Sequence, residues 1–262
     1  MPWRSNWTPL TRRRVADMKA IAIVLAAASA AAALPAFAQA DLGASVEVAT
    51  DERRRGISWS DGELSPAASV SLGMPSGFDV SARVTGTRGD PRHGGADAVF
   101  DMTGGFSRDI GGGLRLDGFV TGHLFAGAAE RLDYVEVGLG ASYALGPAEV
   151  GIDARYAPDQ NAIGGDNLWF GARARVGVPA TPFTLNAEIG HSTGSVDDWR
   201  RAARLRPGGD YTDWSLGVDH ITGPVTLGLT YTGTDIEQVV DSPFANGRHT
   251  GDKVTARLAI NF

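Results

Sequence analysis

The residues able to do chemistry in this chain are charged side chains set two or four apart. Glu149, Asp153 and Arg155 recur in this way, as do Arg173 with Arg175 and Lys253 with Arg257. The same reading collects ten acids on one face: Glu47, Asp79, Asp101, Asp117, Glu136, Glu149, Asp153, Glu188, Asp213 and Asp219. It collects seven bases with them: Arg83, Arg115, Arg155, Arg173, Arg175, Lys253 and Arg257. Such rows can set up a transverse field that orients small polar solutes, or pair with one another and fill the space between them. A nucleophile–base pair is the other chemistry to test. In Gly190-His191-Ser192-Thr193-Gly194, Ser192 is adjacent to His191, and a two-residue period puts neighbours on opposite faces. Nucleophile and base must reach each other on one side. Lipid hydrolysis is therefore disfavoured, and no enzyme is expected. His123, His220 and His249 are scattered, cysteine is absent, and no glycine-rich stretch has phosphate-binding character. No metal and no cofactor are expected.

Strands must position those rows. From Asp41 onward the dominant period is two, as in Val254, Ala256, Leu258, Ile260 and Phe262 against Lys253, Thr255, Arg257 and Asn261. Twelve strands are predicted, at about 42–50, 66–74, 78–87, 97–107, 114–124, 132–145, 148–157, 166–178, 183–192, 211–221, 225–233 and 252–262, with ten the nearest rival count. Connections after the even-numbered strands are tight and rich in Gly and Pro; those after the odd ones are mostly longer and polar. That asymmetry predicts an all-β, antiparallel up-and-down transmembrane barrel with short turns and both termini on the periplasmic side. A closed sheet is needed because an open edge in hydrocarbon leaves backbone groups unpaired. Aromatics are expected in two girdles on the apolar face: Phe78, Phe106, Phe183 and Phe262 at one end, Tyr134, Tyr156, Trp214 and Tyr231 at the other. Trp169 and Phe119 fall on the polar face and would narrow the lumen. A secreted β-sandwich or lipocalin-like barrel would alternate too, but the many charges on one face and the many Gly and Ala on the other argue against a packed core.

The first forty residues differ in character. Arg12, Arg13, Arg14 and Lys19 precede the apolar run Ala20–Leu34, and Ala38-Gln39-Ala40 follows. This order predicts a signal peptide over 1–40 with cleavage before Asp41, residues 1–17 being an over-long start if Met18 initiates. Residues 41–262 form the barrel domain. Five basic groups and one acid fall in 1–40, which leaves 19 bases and 29 acids, a net charge of −10. Nucleic-acid binding is disfavoured by that balance.

The most specific stretch is Thr50 to Gly62, with Arg55-Gly56-Ile57-Ser58 at its centre. Together with Asp61, Pro66 and Gly77-Phe78 it resembles the opening of the TorF family of porins, although the residue before the arginine pair, usually aromatic there, is Glu52 or Arg53 here. The resemblance implies an outer-membrane barrel in the bacterial cell envelope and brings no defined substrate. Residues 53–55 would form a basic constriction or pair with acids across the lumen, or else make a solvated or lipopolysaccharide-facing basic loop. Phe262 fits the usual signal for the barrel-assembly machinery, read through the C-terminal strand. The expected function is passive passage of small polar solutes or ions through a barrel in contact with outer-membrane lipid. The rival is a structural or adhesion barrel with no open pore, binding partners through loops 193–210 (Asp197, Asp198, Arg200, Arg201, Arg204, Arg206) and 234–251. Solute, pore radius and oligomeric state are not specified by the sequence.

Overall fold

A computed structural model describes residues 41–240, 242–245 and 247–262; the expected signal peptide lies outside the described residues. Twelve long strands form one sheet: β1 (Asp41–Ala49), β2 (Ser65–Gly73), β3 (Phe78–Asp90), β4 (Ala96–Gly111), β5 (Leu114–Ala126), β6 (Tyr134–Leu145), β7 (Ala148–Gln160), β8 (Gly165–Gly177), β9 (Phe183–Thr193), β10 (Tyr211–Thr222), β11 (Val225–Thr234) and β12 (Lys253–Asn261). Every strand pairs antiparallel with its sequence neighbours, and β1 also pairs with β12, so the sheet closes into a barrel. The two-residue period predicts each of them to within a few residues, and the count is twelve, not ten.

Register decides which side chains face inward. Arg83 pairs with Asp101, Asp101 with His123, Glu188 with Arg173 and Gly228 with Arg257, so the charged positions stack in rings on one face. The other face carries the apolar row. Leu139 is 71% exposed and Phe262 74% exposed, and Ile152, Val254, Leu216 and Met102 are exposed like them. Large apolar side chains pointing out while charged ones point in is the reverse of a soluble barrel. It is the arrangement required of a sheet whose solvent on the outside is hydrocarbon.

The apolar core is not between sheets. It sits inside the end of the barrel that carries the long connections, which fold inward. Trp59, Val99, Phe125, Leu132, Tyr134, Ile163, Leu205 and Phe244 form one buried cluster there. Tyr134 is the exception among the expected girdle residues. It is buried inside and stacks on His123 at 4.4 Å, because it begins β6 in register with an inward position. Tyr156 and Phe78 are exposed on the outside as expected.

Candidate functional site

The site is a constriction built by the loop between β1 and β2. Its centre is a two-stranded hairpin, Arg53–Arg54 against Ile57–Ser58. Arg55 and Gly56 both have positive φ, 51° and 72°, the signature of the tight hairpin turn whose twist matches that of paired strands. Gly56 is required twice over. Besides its φ, a Cβ there would come 2.8 Å from the Gly233 carbonyl oxygen and 3.1 Å from the Asp213 Cβ, so the turn lies against the β10–β11 wall. Asp51 holds the base of the hairpin: it accepts from Ser58 Oγ at 2.5 Å, Ser60 Oγ at 3.1 Å and Arg53 Nη1 at 3.2 Å.

From that position the three arginines reach across the lumen. Arg54 Nη2 donates to Asp101 on β4 at 2.7 Å, and Arg55 Nη2 to Glu136 on β6 at 2.5 Å. Arg53 donates to the Gly251 carbonyl at 2.7 Å. Tyr211 donates its hydroxyl to the Arg55 carbonyl at 3.1 Å. Burial alone would lower the pKa of Arg54 and Arg55. The carboxylates Asp101 and Glu52 around Arg54, and Glu136 beside Arg55, outweigh it and hold both above the ordinary value. The arginine cluster is therefore a constriction element and not a basic loop facing outward.

Aromatic rings carry the guanidinium faces. Arg54 lies 4.2 Å above Trp59, and Arg55 and Arg155 lie 5.6 Å and 5.5 Å from Trp169. Trp169 is fixed by donating Nε1 to Asp213 at 2.9 Å. Its indole fits only because Gly190 and Gly171 flank it. Phe119 lies over Gly138 in the same way, so both bulky inward residues narrow the lumen as expected.

Above the hairpin, the connections before β4 and before β10 close over the barrel. Arg92 donates to the Ala203 and Arg204 carbonyls at 3.3 Å and 3.1 Å. Arg204 donates to the carbonyls of Leu132 at 3.0 Å, Ala162 at 2.5 Å and Arg92 at 3.2 Å, with its guanidinium 4.9 Å from Phe125. Burial pushes the Arg204 pKa down to about 10, which leaves it charged at neutral pH. His93 is packed between Trp59 at 4.4 Å and Phe125 at 4.8 Å. Burial, with Arg204 and Arg92 adding to it, drives His93 well below its ordinary value. The rival reading of an adhesion barrel offers Arg204 and Arg206 to outside partners. Both are buried instead and spend their donors largely on loop carbonyls.

The predicted lumen residues divide into groups. Arg83, Asp101, Glu136, Arg155 and Glu188 surround the hairpin; Arg83 bonds Glu47 at 2.7 Å, and Asp101 accepts from His123 Nδ1 at 2.7 Å as well as from Arg54. Arg173 pairs with Asp153, with Asp117 on the same inward face. Arg257 bonds Asp219 at 2.7 Å. Three residues lie away from the constriction. Arg115 sits by the turn between β4 and β5, bonded to Ser107 at 2.5 Å; Arg175 is near the turn before β9; Lys253 is exposed at the start of β12. Sequence periodicity missed Trp59, Arg92, His93, Arg204 and Tyr211, which lie in connections or at a strand's first residue. Only Trp59, one residue past the Arg-Gly-Ile-Ser core, carried a signal. His191 faces outward toward Phe170, and Ser192 is buried inside, so the two do not meet.

A cavity of about 230 Å³ lies between the hairpin and the β6–β8 wall, lined by Arg55, Arg155, Glu136, Glu188, Trp169 and Arg204 among others. The fold is shared with solved porins. The NanC porin in a rhombohedral crystal form superposes with a TM-score of 0.56 at 14% identity, covering 85% of this chain and 99% of that one. The KdgM porin gives 0.54 at 5%, covering 84% and 98%, and a KdgM structure in complex with disordered oligogalacturonate gives 0.53 at 6%, covering 84% and 97%. No curated protein matches the sequence. Residues 33–261 match the family described as "Bacterial protein of unknown function (Gcw_chp)", and the chain belongs to that family.

Proposed function

We propose that this protein is a porin-like channel of the bacterial outer membrane that passes small polar solutes passively. The observation that carries the reading is a closed twelve-stranded barrel, apolar outside and charged inside, narrowed by an arginine hairpin beside a polar cavity. Twelve strands give a lumen between side-chain-filled eight-stranded barrels and open sixteen-stranded porins, and the hairpin reduces it to solute size. The protein acts without chemistry of its own. In this reading both termini face the periplasm, the outer surface meets lipid and lipopolysaccharide, and the β12 strand ending in Phe262 is read by the barrel-assembly machinery. The Arg55-Gly56-Ile57-Ser58 core supports placing the chain among TorF-type porins. Residues 1–40 act as a cleaved signal.

Reconstitution of the barrel into planar lipid bilayers tests the channel. Discrete conductance steps are expected. Their absence at high protein load would overturn the reading in favour of a closed structural barrel, which the packed outer cluster of Trp59, Phe125 and Leu205 would then explain.

A further inference from the structure

The cavity beside the hairpin has more donors than its own walls satisfy. Arg155 has no ion pair among the described residues; its guanidinium rests between the Trp169 and Phe119 rings, at 5.5 Å and 5.6 Å. Among the described residues Arg204 bonds only carbonyl oxygens, which do not neutralise it, and its buried Nη2 has no partner. Arg53 Nε is buried and unpartnered as well. His123 donates Nδ1 to Asp101, and its buried Nε2 too has no partner among the described residues. Buried polar groups are ordinarily satisfied, and here three without a partner among the described residues belong to one wall, with the unpaired Arg155 beside them.

The charges of the wall select among ligands. Five arginines (53, 54, 55, 155 and 204) face two glutamates, 136 and 188. Asp51 behind Arg53 and Asp101 behind Arg54 supply two more negative charges, and Glu52 is shared between Arg54 and the neighbouring Arg83. About one positive charge remains, which suits a monoanion better than a dianion. The volume, about 230 Å³, equals the liquid share of roughly eight waters, enough for one small ring or short chain. A guanidinium recognises a carboxylate by parallel donors. Glu136 and Glu188 are acceptors that hydroxyl groups can satisfy, and a hydroxyl, which both donates and accepts, can pair with His123 Nε2.

We infer that this cavity is a binding site for a small hydroxylated monocarboxylate, with Arg155 and Arg204 taking the carboxylate and His123, Glu136 and Glu188 taking hydroxyls. The site makes the constriction favour organic monoanions even though the expected mature chain is strongly acidic. This inference deepens the channel reading and rests on it only for transport, since binding is read separately.

The refolded barrel is titrated with sodium glucuronate, and Trp169 and Trp59 fluorescence reports occupancy. Glucose is the uncharged match, acetate lacks hydroxyls, and inorganic phosphate is the more highly charged anion. Saturable binding of glucuronate is expected, with glucose, acetate and phosphate each weaker. Arg155→Gln should weaken glucuronate about 10- to 100-fold, the range for hydrogen bonds to charged groups; Arg155→Lys should recover part of it. Arg131→Gln, which removes the same charge from an exposed loop residue, should leave binding unchanged. Heat-modifiable gel mobility confirms that each variant is a folded barrel. Equal binding of glucose and glucuronate, phosphate binding tighter than glucuronate, or wild-type affinity in Arg155→Gln would overturn the site. Conductance steps without glucuronate binding would sink the site and keep the channel. Glucuronate binding without conductance would sink the channel and keep the site.

Discussion

Removal of the Arg55 side chain should release the inner hairpin to protease while leaving the barrel intact. Arg55 and Glu136 meet at 2.5 Å, with side chains 17% and 4% exposed. Breaking a buried pair by removing one partner costs about 3–5 kcal/mol, because the other charge is stranded. The lower end applies here, since Arg55 keeps some contact with solvent and Arg155 lines the same cavity as Glu136. About 3 kcal/mol corresponds to roughly a hundredfold change in an equilibrium constant. In Arg55→Ala the undocked hairpin should be about a hundredfold more populated. Trypsin cuts after arginine, and Arg53 and Arg54 remain in the variant, shielded only while the hairpin is docked. When opening is fast relative to cutting, the cleavage rate follows the open population, so cleavage at these two bonds should rise by about the same factor. Adding Glu136→Ala removes the stranded carboxylate, and the double variant should be cut no faster than Arg55→Ala. Wild-type cleavage of Arg55→Ala, or a double-mutant cycle additive within about 0.5 kcal/mol, would refute the pair as the hairpin's tether.

Three further outcomes follow from the same geometry. Trp169→Phe deprives the Asp213 carboxylate of its 2.9 Å donor and should lower barrel stability by about 1–3 kcal/mol, seen as an earlier midpoint in urea unfolding from lipid vesicles. Gly138→Val places a branched side chain where the Phe119 ring lies and should cost about 1–3 kcal/mol by overpacking, read as a lower temperature for loss of heat-modifiable mobility. His93 is held neutral by burial and by neighbouring arginines, below an ordinary value of 6.5. Its depressed pKa means that the undocked loop binds the proton first, so the stability it confers on the packed loop cluster is complete above pH 6.5 and declines as pH falls from there. Trp59 fluorescence, 4.4 Å from His93, should report loosening on acidification in the wild type and a flat response in His93→Phe.

The strands were legible because a sheet with two different solvents writes its faces into alternate residues. Val254 to Phe262 and Leu168 to Val176 carry that pattern strongly enough to fix both direction and inward side. Trp169 and Arg155 followed from it directly. Tyr134 did not, since an aromatic at a strand's first residue has no preceding alternation to assign its face. The connections carry no period at all. Arg92 and Arg204 are held by carbonyls more than a hundred residues away in sequence, and nothing local distinguishes them from Arg200 or Arg131. The hairpin turn was visible as Arg55-Gly56, but its inward docking depends on Asp101, Glu136 and Tyr211, whose convergence exists only once the ring is closed.

That closure has a consequence for how the molecule comes into being. β1 joins β12 through five residue pairs, Ser45 with Asn261 to Ala49 with Arg257, whereas β1 joins β2 through nine. The seam therefore links the two ends of the strand order by its shortest ladder. Loop-closure entropy grows only with the logarithm of length, so so distant a pairing is cheap at equilibrium, but contacts of high sequence separation form late. The first strand must wait, with one edge bare, until the last has been made. No N-terminal fragment can be a ring, and shortening the final strand would open the molecule along the seam.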